Sequence, residues 1–300
     1  MFYELKNKVV RICGVGVTLV TFIVLLLSTS TSYAGAVAAV YPKPSTQHPL
    51  LNDYPIELLR MALAKAQAPY VLIPSFKTLP KNRALFRLKN QEGIDVLWSD
   101  TSTHKEKDFY PIKIPIYKGL SGWRIPLVNK HRNLSTKQIG SFDKLKQYSL
   151  IQGSDGSSRK VFEANHIVVH HAYEQASLYE MLGKNRGDML FQSVVELSGQ
   201  ENMHRYYGLK IDDNIAVRYP SAVYFFVHKD NKLLAKAIEQ GLSESISDGS
   251  FDTLFDKSLS PFLKSCRLDE RTILDIDNPD VPEAMPLGDQ ALWYRLDEHL

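Results

Sequence analysis

An alternation of helix and strand patterns runs along this chain and restricts the folds open to it. Apolar residues recur at helical spacing over residues 54–67, and the next segment, 70–74, favours a strand. The same order returns in three further pairs of segments: 82–90 before 94–98, 142–147 before 149–152, and 174–182 before 188–191. This alternation predicts an α/β fold with mostly parallel sheets flanked by helices.

One of these strands ends in hydroxyl groups. The apolar run 94–98 is followed by Ser99, Thr101 and Ser102, with Lys105 just beyond. A continuous apolar run is typical of a buried strand, and such sheets bind ligands beyond the carboxyl ends of their strands. The pattern predicts the rim of a site for a small polar ligand, and an ordinary Ser/Thr-rich loop is the alternative.

The amino terminus has the layout of a secretory signal. Lys6, Lys8 and Arg11 precede an apolar stretch over residues 15–27, and Ala34 and Ala36 provide two alternative cleavage positions. A retained membrane anchor is the alternative, although the apolar run is short of the ~20 residues that a spanning helix needs. We expect residues 1–34 to be removed and the protein to lie in the periplasm.

The remaining 266 of the 300 residues are enough for two lobes. Residues 118–125 and 214–222 combine Gly or Pro with strand-forming residues, which indicates two crossings between lobes. We therefore expect one lobe from residues 35–119 with 220–300, and a second from residues 120–219.

Composition and motifs exclude several classes of function. The formal net charge of +3 falls to about +1 once the signal is removed, so nothing favours nucleic-acid binding. Cys266 is then the only cysteine, which rules out an internal disulfide. The adjacent His170 and His171 would point to opposite faces of a strand, so we expect no metal site and no cofactor. No nucleophile motif is present, and we expect a protein without enzyme activity.

One further segment is a candidate for an anion site. Ser154, Asp155, Gly156 and Ser157 lie between a strand and a helix, where free N–H groups of the helix start favour anions. The alternative is an ordinary loop in which a serine caps the helix.

The first crossing supplies two more candidates. Arg124 stands at the edge of the expected cleft, either to grip a carboxylate or to form a structural ion pair. Tyr117 precedes the same crossing and is a candidate for ligand contact.

Taken in order, these motifs resemble the type II periplasmic solute-binding proteins of extracellular solute-binding protein family 3, and in particular a solitary, poorly characterised branch. The resemblance is carried by segments spread over nearly the whole chain after the signal: 54–67, 94–96, 101–105, Tyr117, 152–154, 182–188 and 246–255. It implies a two-lobed fold, with two hinge crossings, that closes on a small polar solute.

The chain departs from the resemblance at two binding positions. Members of the family hold the carboxylate of an amino acid with an arginine after the threonine-containing turn, and its ammonium with an aspartate on the second lobe. Here Lys105 stands nearest the first position, and Gln192 and Ser193 stand nearest the second. We therefore expect an anionic or neutral polar solute instead of an ordinary α-amino acid. Gln192 and Ser193 are candidates for contact with this solute.

Three functions stay open at this point. The resemblance implies a monomer that delivers its solute to the membrane permease of an ABC transporter. The first alternative is a ligand-sensing partner of a membrane signalling receptor. The second is a dehydratase-like enzyme acting on a cyclohexadienyl acid on the same fold.

Overall fold

The computed structural model describes residues 35–44 and 49–296, so the predicted signal segment lies outside the described residues. The described residues from Ala38 onward belong to one compact unit, which contains all the elements below except the first residue of β1. None of the helices in the described ranges is long and apolar enough to cross a membrane.

The helices follow the periodic apolar patterns, with boundaries close to those expected. Pro55 lies in the first turn of α1, and Gln67, with φ of 47°, follows its end. In chain order the α-helices are α1 (Tyr54–Lys65), α2 (Lys81–Lys89), α3 (Thr103–Asp108), α4 (Phe142–Leu145), α5 (Ser157–Ala164), α6 (Gln175–Gly183), α7 (Val194–Leu197), α8 (Glu201–Tyr206), α9 (Lys232–Ser247) and α10 (Ser250–Cys266).

The strands lie between these helices. They are β1 (Val37–Lys43), β2 (Tyr70–Thr78), β3 (Val96–Asp100), β4 (Tyr110–Ile112), β5 (Trp123–Asn129), β6 (Leu150–Gly153), β7 (Val169–Ala172), β8 (Met189–Ser193), β9 (Leu209–Ile211), β10 (Ile215–Arg218), β11 (Val223–Val227) and β12 (Thr272–Asp275). β1 pairs with β2, while β3, β11 and β4 form a three-stranded sheet. The remaining strands form a seven-stranded sheet in the order β12-β10-β5-β8-β6-β7, with β9 beside β5.

The pairing directions correct one expectation from the sequence. β6 pairs in parallel with β7 and β8, and β10 with β12, but β11 is antiparallel to β3 and β4, and β5 is antiparallel to β8, β9 and β10. The expected mostly parallel pairing is wrong at β5 and β11. Both strands enter their sheets from elsewhere in the chain, so no β-helix-β crossover forces them to run parallel to their neighbours.

The largest apolar core brings α1 and α9 together. Leu58, Leu59 and Ala62 are buried on α1, and Ile238 and Leu242 are buried on α9. Gly241 lies on the same buried face of α9, where a Cβ atom would overlap the carbonyl group of Ala62. The two backbones are therefore in direct contact at this point.

The two expected crossings lie side by side. The Tyr219 N–H donates to the Gly122 carbonyl at 3.2 Å, and the hydroxyls of Ser121 and Ser221 lie 3.0 Å apart. Gly119, with φ of 77°, precedes a 3-10 turn over Leu120–Gly122 that leads into β5. The lobe boundaries stay a prediction. β12 falls within residues expected in the first lobe, yet it pairs with β10 in the seven-stranded sheet.

Candidate functional site

A cavity of about 860 Å³ lies between the end of β3, the start of α2 and the loop from β6 to α5. Its volume is in the range of pockets that hold small molecules. At one point its walls touch directly, because the Asn82 amide donates to the Asp155 carboxylate at 3.1 Å. The cavity is therefore bounded by two segments that are distant in the chain.

The turn after β3 places Lys105 in this cavity. Ser102 caps α3, since its hydroxyl accepts from the Lys105 N–H at 3.2 Å. The Lys105 ammonium donates to the Ser99 hydroxyl at 3.0 Å and to the Asp100 carbonyl at 2.6 Å. Two of its three protons are thus held by neutral oxygen atoms. Burial and the nearby Lys81 charge lower the pKa of Lys105 to about 8.

Asp100 supplies a negative charge beside this lysine. Its carboxylate accepts from the Lys81 ammonium at 3.0 Å. Burial opposes ionisation, but the charges of Lys81, Lys105 and Arg124 outweigh it and lower the pKa of Asp100 below its ordinary value. Asp100 is therefore charged at neutral pH.

The opposite wall is the loop between β6 and α5. Gly156 precedes α5 and provides no side-chain cap, so the first N–H groups of this helix are not satisfied by a capping side chain. The Ser158 hydroxyl instead donates to Gln152 Oε1 at 2.9 Å, and the Ser154 hydroxyl lies 3.0 Å from His171 Nδ1. An uncapped helix start of this kind favours an anion.

Arg124 lies at the base of the cavity, where β5 pairs with the end of β8. It is 4% exposed, and its Nε donates to the Tyr219 hydroxyl at 2.9 Å while its Nη1 donates to Glu196 at 2.9 Å. Nη2 donates to no atom of the described residues. Glu196 also accepts from the Ser193 N–H at 2.8 Å as part of the capping box of α7, which fixes its carboxylate.

A second, smaller cavity of about 340 Å³ adjoins the first, and both are lined by Leu51, Lys81, Asp100 and Glu196. Its other walls include Trp98, Tyr117 and Val223. Together the two cavities form one site with two chambers, which we call the large chamber and the small chamber.

The structure brings all twelve predicted site residues to this pair of chambers. The large chamber is lined by Thr101, Ser102, Lys105, Arg124, Ser154, Asp155, Gly156, Ser157 and Gln192, and the small chamber by Ser99, Tyr117 and Ser193. Their role in ligand binding stays a prediction. Both open alternatives for Arg124 remain, since it forms an ion pair and also lines the large chamber.

Sequence reasoning missed several charged residues of the site. Lys81 and Asn82 begin α2 directly after Pro80, and a helix that starts beyond the end of a strand was an available signal. Ser193 and Glu196 match the spacing of a capping box, which was a second signal. Asp280 belongs to an irregular segment that carries no periodic pattern.

No group of three His, Cys, Asp or Glu side chains within the described ranges is arranged to hold a metal ion.

Trp123 lines neither chamber. Its ring packs edge-on against Tyr294, with ring centroids 6.0 Å apart.

Several solved structures share this fold. A probable amino-acid ABC transporter extracellular-binding protein from Bacillus subtilis has 22% identity and a TM-score of 0.54, over 74% of this chain and 98% of that one. An arginine third transport system periplasmic binding protein from Legionella pneumophila has 15% identity and a TM-score of 0.54, over 75% and 100%. A histidine kinase sensor domain with similarity to periplasmic binding proteins has 12% identity and a TM-score of 0.52, over 75% and 96%.

No family model and no curated protein matches the sequence. Identities this low show the fold alone. The α/β fold of the two-lobed periplasmic binding proteins, which the sequence resemblance predicted, is thereby confirmed.

Proposed function

We propose that this protein is an exported solute-binding protein that closes two lobes around a small anionic, carboxylate-bearing solute. The observation that carries the proposal is the position of Arg124, whose buried guanidinium lines the large chamber with Nη2 unbound to any described residue. A planar guanidinium suits a carboxylate, and the uncapped start of α5 lines the same chamber.

The mechanism is binding by differential contact, without turnover. A solute that touches both the β3 end and the β6–α5 loop stabilises the closed state by as much as it prefers that state. The lobes would be residues 35–119 with 220–300, and residues 120–219, with β12 joining the second sheet. They would move about the paired crossings at Gly122 and Tyr219.

The proposed role is delivery of the solute, by a periplasmic monomer, to the permease of an ABC transporter. Its support is the fold shared with two transport-system binding proteins. Sensing for a membrane receptor is the second candidate, because a histidine kinase sensor domain shares the fold as well. Uptake of the identified ligand by cells that lack this protein separates the two, since only the transport role requires a loss of uptake.

The first test is a thermal-denaturation screen of the purified protein against carboxylates, each paired with its neutral amide. A carboxylate at 100 times its dissociation constant is expected to add roughly 2.7 kcal/mol to the free energy of unfolding. For a chain of this size that stabilisation raises Tm by roughly 5–10 °C. A panel in which amides stabilise as much as their carboxylates would contradict the anionic assignment.

Carboxylate binding is also expected to weaken as the pH rises from 7 to 9. The pKa of Lys105 is about 8, below its ordinary value, so the ammonium loses its charge in this range while Asp100 stays ionised. Replacing a charged donor by a neutral amine costs about 1 kcal/mol, or about fivefold in Kd. Calorimetric titration at several pH values measures this change.

The effect of the same titration on stability has the opposite sign. The folded state binds fewer protons at Lys105 than the unfolded chain does between pH 8 and the ordinary lysine pKa, so this group makes stability rise with pH in that window.

The Lys105→Met protein serves as the control for the binding prediction, and its carboxylate affinity is expected to be independent of pH between pH 7 and 9. A parent protein whose affinity is flat or rises with pH would exclude Lys105 from the anion site.

A further inference from the structure

The small chamber differs from the large one in the chemistry of its walls. Apolar side chains supply much of the lining, among them Leu79, Leu97, Trp98, Tyr117, Val195 and Val223. The large chamber is lined mainly by charged, hydroxyl and amide groups. A small solute that is polar throughout would fill the large chamber and leave the small chamber unused.

The polar atoms of the two aromatic side chains that line the small chamber, Trp98 and Tyr117, are already hydrogen-bonded to the protein backbone. The Trp98 Nε1–H donates to the Leu51 carbonyl at 2.8 Å, and the Tyr117 hydroxyl donates to the Leu50 carbonyl at 2.7 Å. Both bonds fix the rings against the turn that precedes α1. The rings therefore offer carbon surface in a set orientation.

The hydroxyl groups in the same walls are also engaged with protein atoms. Ser193 donates to the Leu120 carbonyl at 3.2 Å, Ser121 pairs with Ser221, and Ser99 accepts from Lys105. A polar ligand group placed against these hydroxyls would have to break one of these bonds, whereas an apolar group would not.

Three charged residues stand where the two chambers meet, while a fourth, Lys43, lines the small chamber alone. Lys81 and Asp100 form one ion pair at 3.0 Å, Glu196 pairs with Arg124 at 2.9 Å, and three of these four residues line both chambers. A ligand that spans this junction has its charged end beside Arg124 and its other end against Trp98 and Tyr117.

We propose that the solute is an aromatic carboxylate of one or two fused rings, with its carboxylate in the large chamber and its rings in the small chamber. This inference rests on the proposed function and narrows its ligand class. A dry cavity of 150 Å³ is enough for benzene, so about 340 Å³ has room for a bicyclic ring.

The test compares succinate, benzoate and 2-naphthoate by isothermal titration calorimetry on the whole protein. Binding of benzoate is expected to be at least about tenfold tighter than that of succinate, and binding of 2-naphthoate at least about tenfold tighter than that of benzoate, because each step buries further ring carbon. Succinate that binds as tightly as 2-naphthoate would overturn the inference and leave the proposed function standing. Failure of all three to bind, when another carboxylate of the thermal screen does bind, would overturn the inference alone, whereas a screen without any carboxylate that binds would overturn both.

Two variants locate the rings. Leu79→Trp fills the small chamber. It is expected to weaken 2-naphthoate binding at least about tenfold and to leave succinate binding unchanged. Leu287→Trp is the matched control, since Leu287 is 49% exposed and lines neither chamber. Equal 2-naphthoate affinity in both variants would overturn the placement.

Trp98→Phe gives a second measurement if Leu79→Trp does not fold. It shortens the aromatic wall and removes the bond to Leu51, so 2-naphthoate is expected to bind several-fold more weakly and succinate as before. An equal loss for both ligands would show that Trp98 supports the fold without touching the rings, and would overturn the proposal.

Discussion

The Arg124→Met protein is expected to bind carboxylates at least about 30-fold more weakly than the parent protein. Arg124 is almost fully buried, its Nε donates to Tyr219 and its Nη1 to Glu196, and its Nη2 donates to no described residue and can meet a ligand. Truncating one side of a buried charge pair costs about 2 kcal/mol or more. Isothermal titration calorimetry with the tightest carboxylate of the screen measures the loss.

The matched variant is Glu196→Gln, which separates a ligand grip from a structural ion pair. Glutamine keeps the capping box of α7 but removes the negative charge beside Arg124. If Arg124 holds the ligand, Glu196→Gln is expected to tighten carboxylate binding several-fold, opposite in sign to Arg124→Met. Should both variants leave the affinity at the parent value, Arg124 has a structural role only.

The second large effect is expected for Gly241→Ala, which should lower the free energy of unfolding by about 2 kcal/mol. The new Cβ overlaps the backbone carbonyl of Ala62, so α1 and α9 have to separate. Overpacking of this kind costs up to about 3 kcal/mol, and the better helix propensity of alanine returns about 1 kcal/mol. Urea denaturation followed by circular dichroism measures the change.

Two controls test the cause of this destabilisation. Gly140→Ala places the same Cβ in open space and is expected to leave stability within about 0.5 kcal/mol of the parent value. Adding Ala62→Gly to Gly241→Ala is expected to give no rescue, because the obstruction is a backbone atom. Rescue by that second change would mean that the side chain of Ala62, and not its carbonyl, sets the approach of the helices.

The helix and strand order could be predicted because each element carries its own periodic pattern. α1, α2, α4 and α6 lie within a few residues of their expected bounds. Strand direction could not be predicted in the same way, since a local pattern does not encode which strand pairs with which. β11 is antiparallel to its neighbours because of where the chain re-enters the sheet.

The residues that line the large chamber were predictable where they follow a strand or precede a helix, as at Thr101 and Gly156. The ion pair of Arg124 with Glu196 was not, because it depends on the register that sets Arg124 opposite Ser193 across β5 and β8. Asp280 was missed for a related reason. It reaches the large chamber from an irregular segment near the carboxyl terminus, where neither helix nor strand spacing gives a signal.

The order of strands in the two larger sheets constrains how the chain folds. β3 and β4 are complete by Ile112, but the strand that belongs between them, β11, begins only at Val223. Closing so long a loop has an entropic cost that slows folding. The other sheet likewise awaits β12, which comes later still. A nascent chain that stops before Val223 therefore leaves β3 and β4 each without the partner strand that β11 supplies.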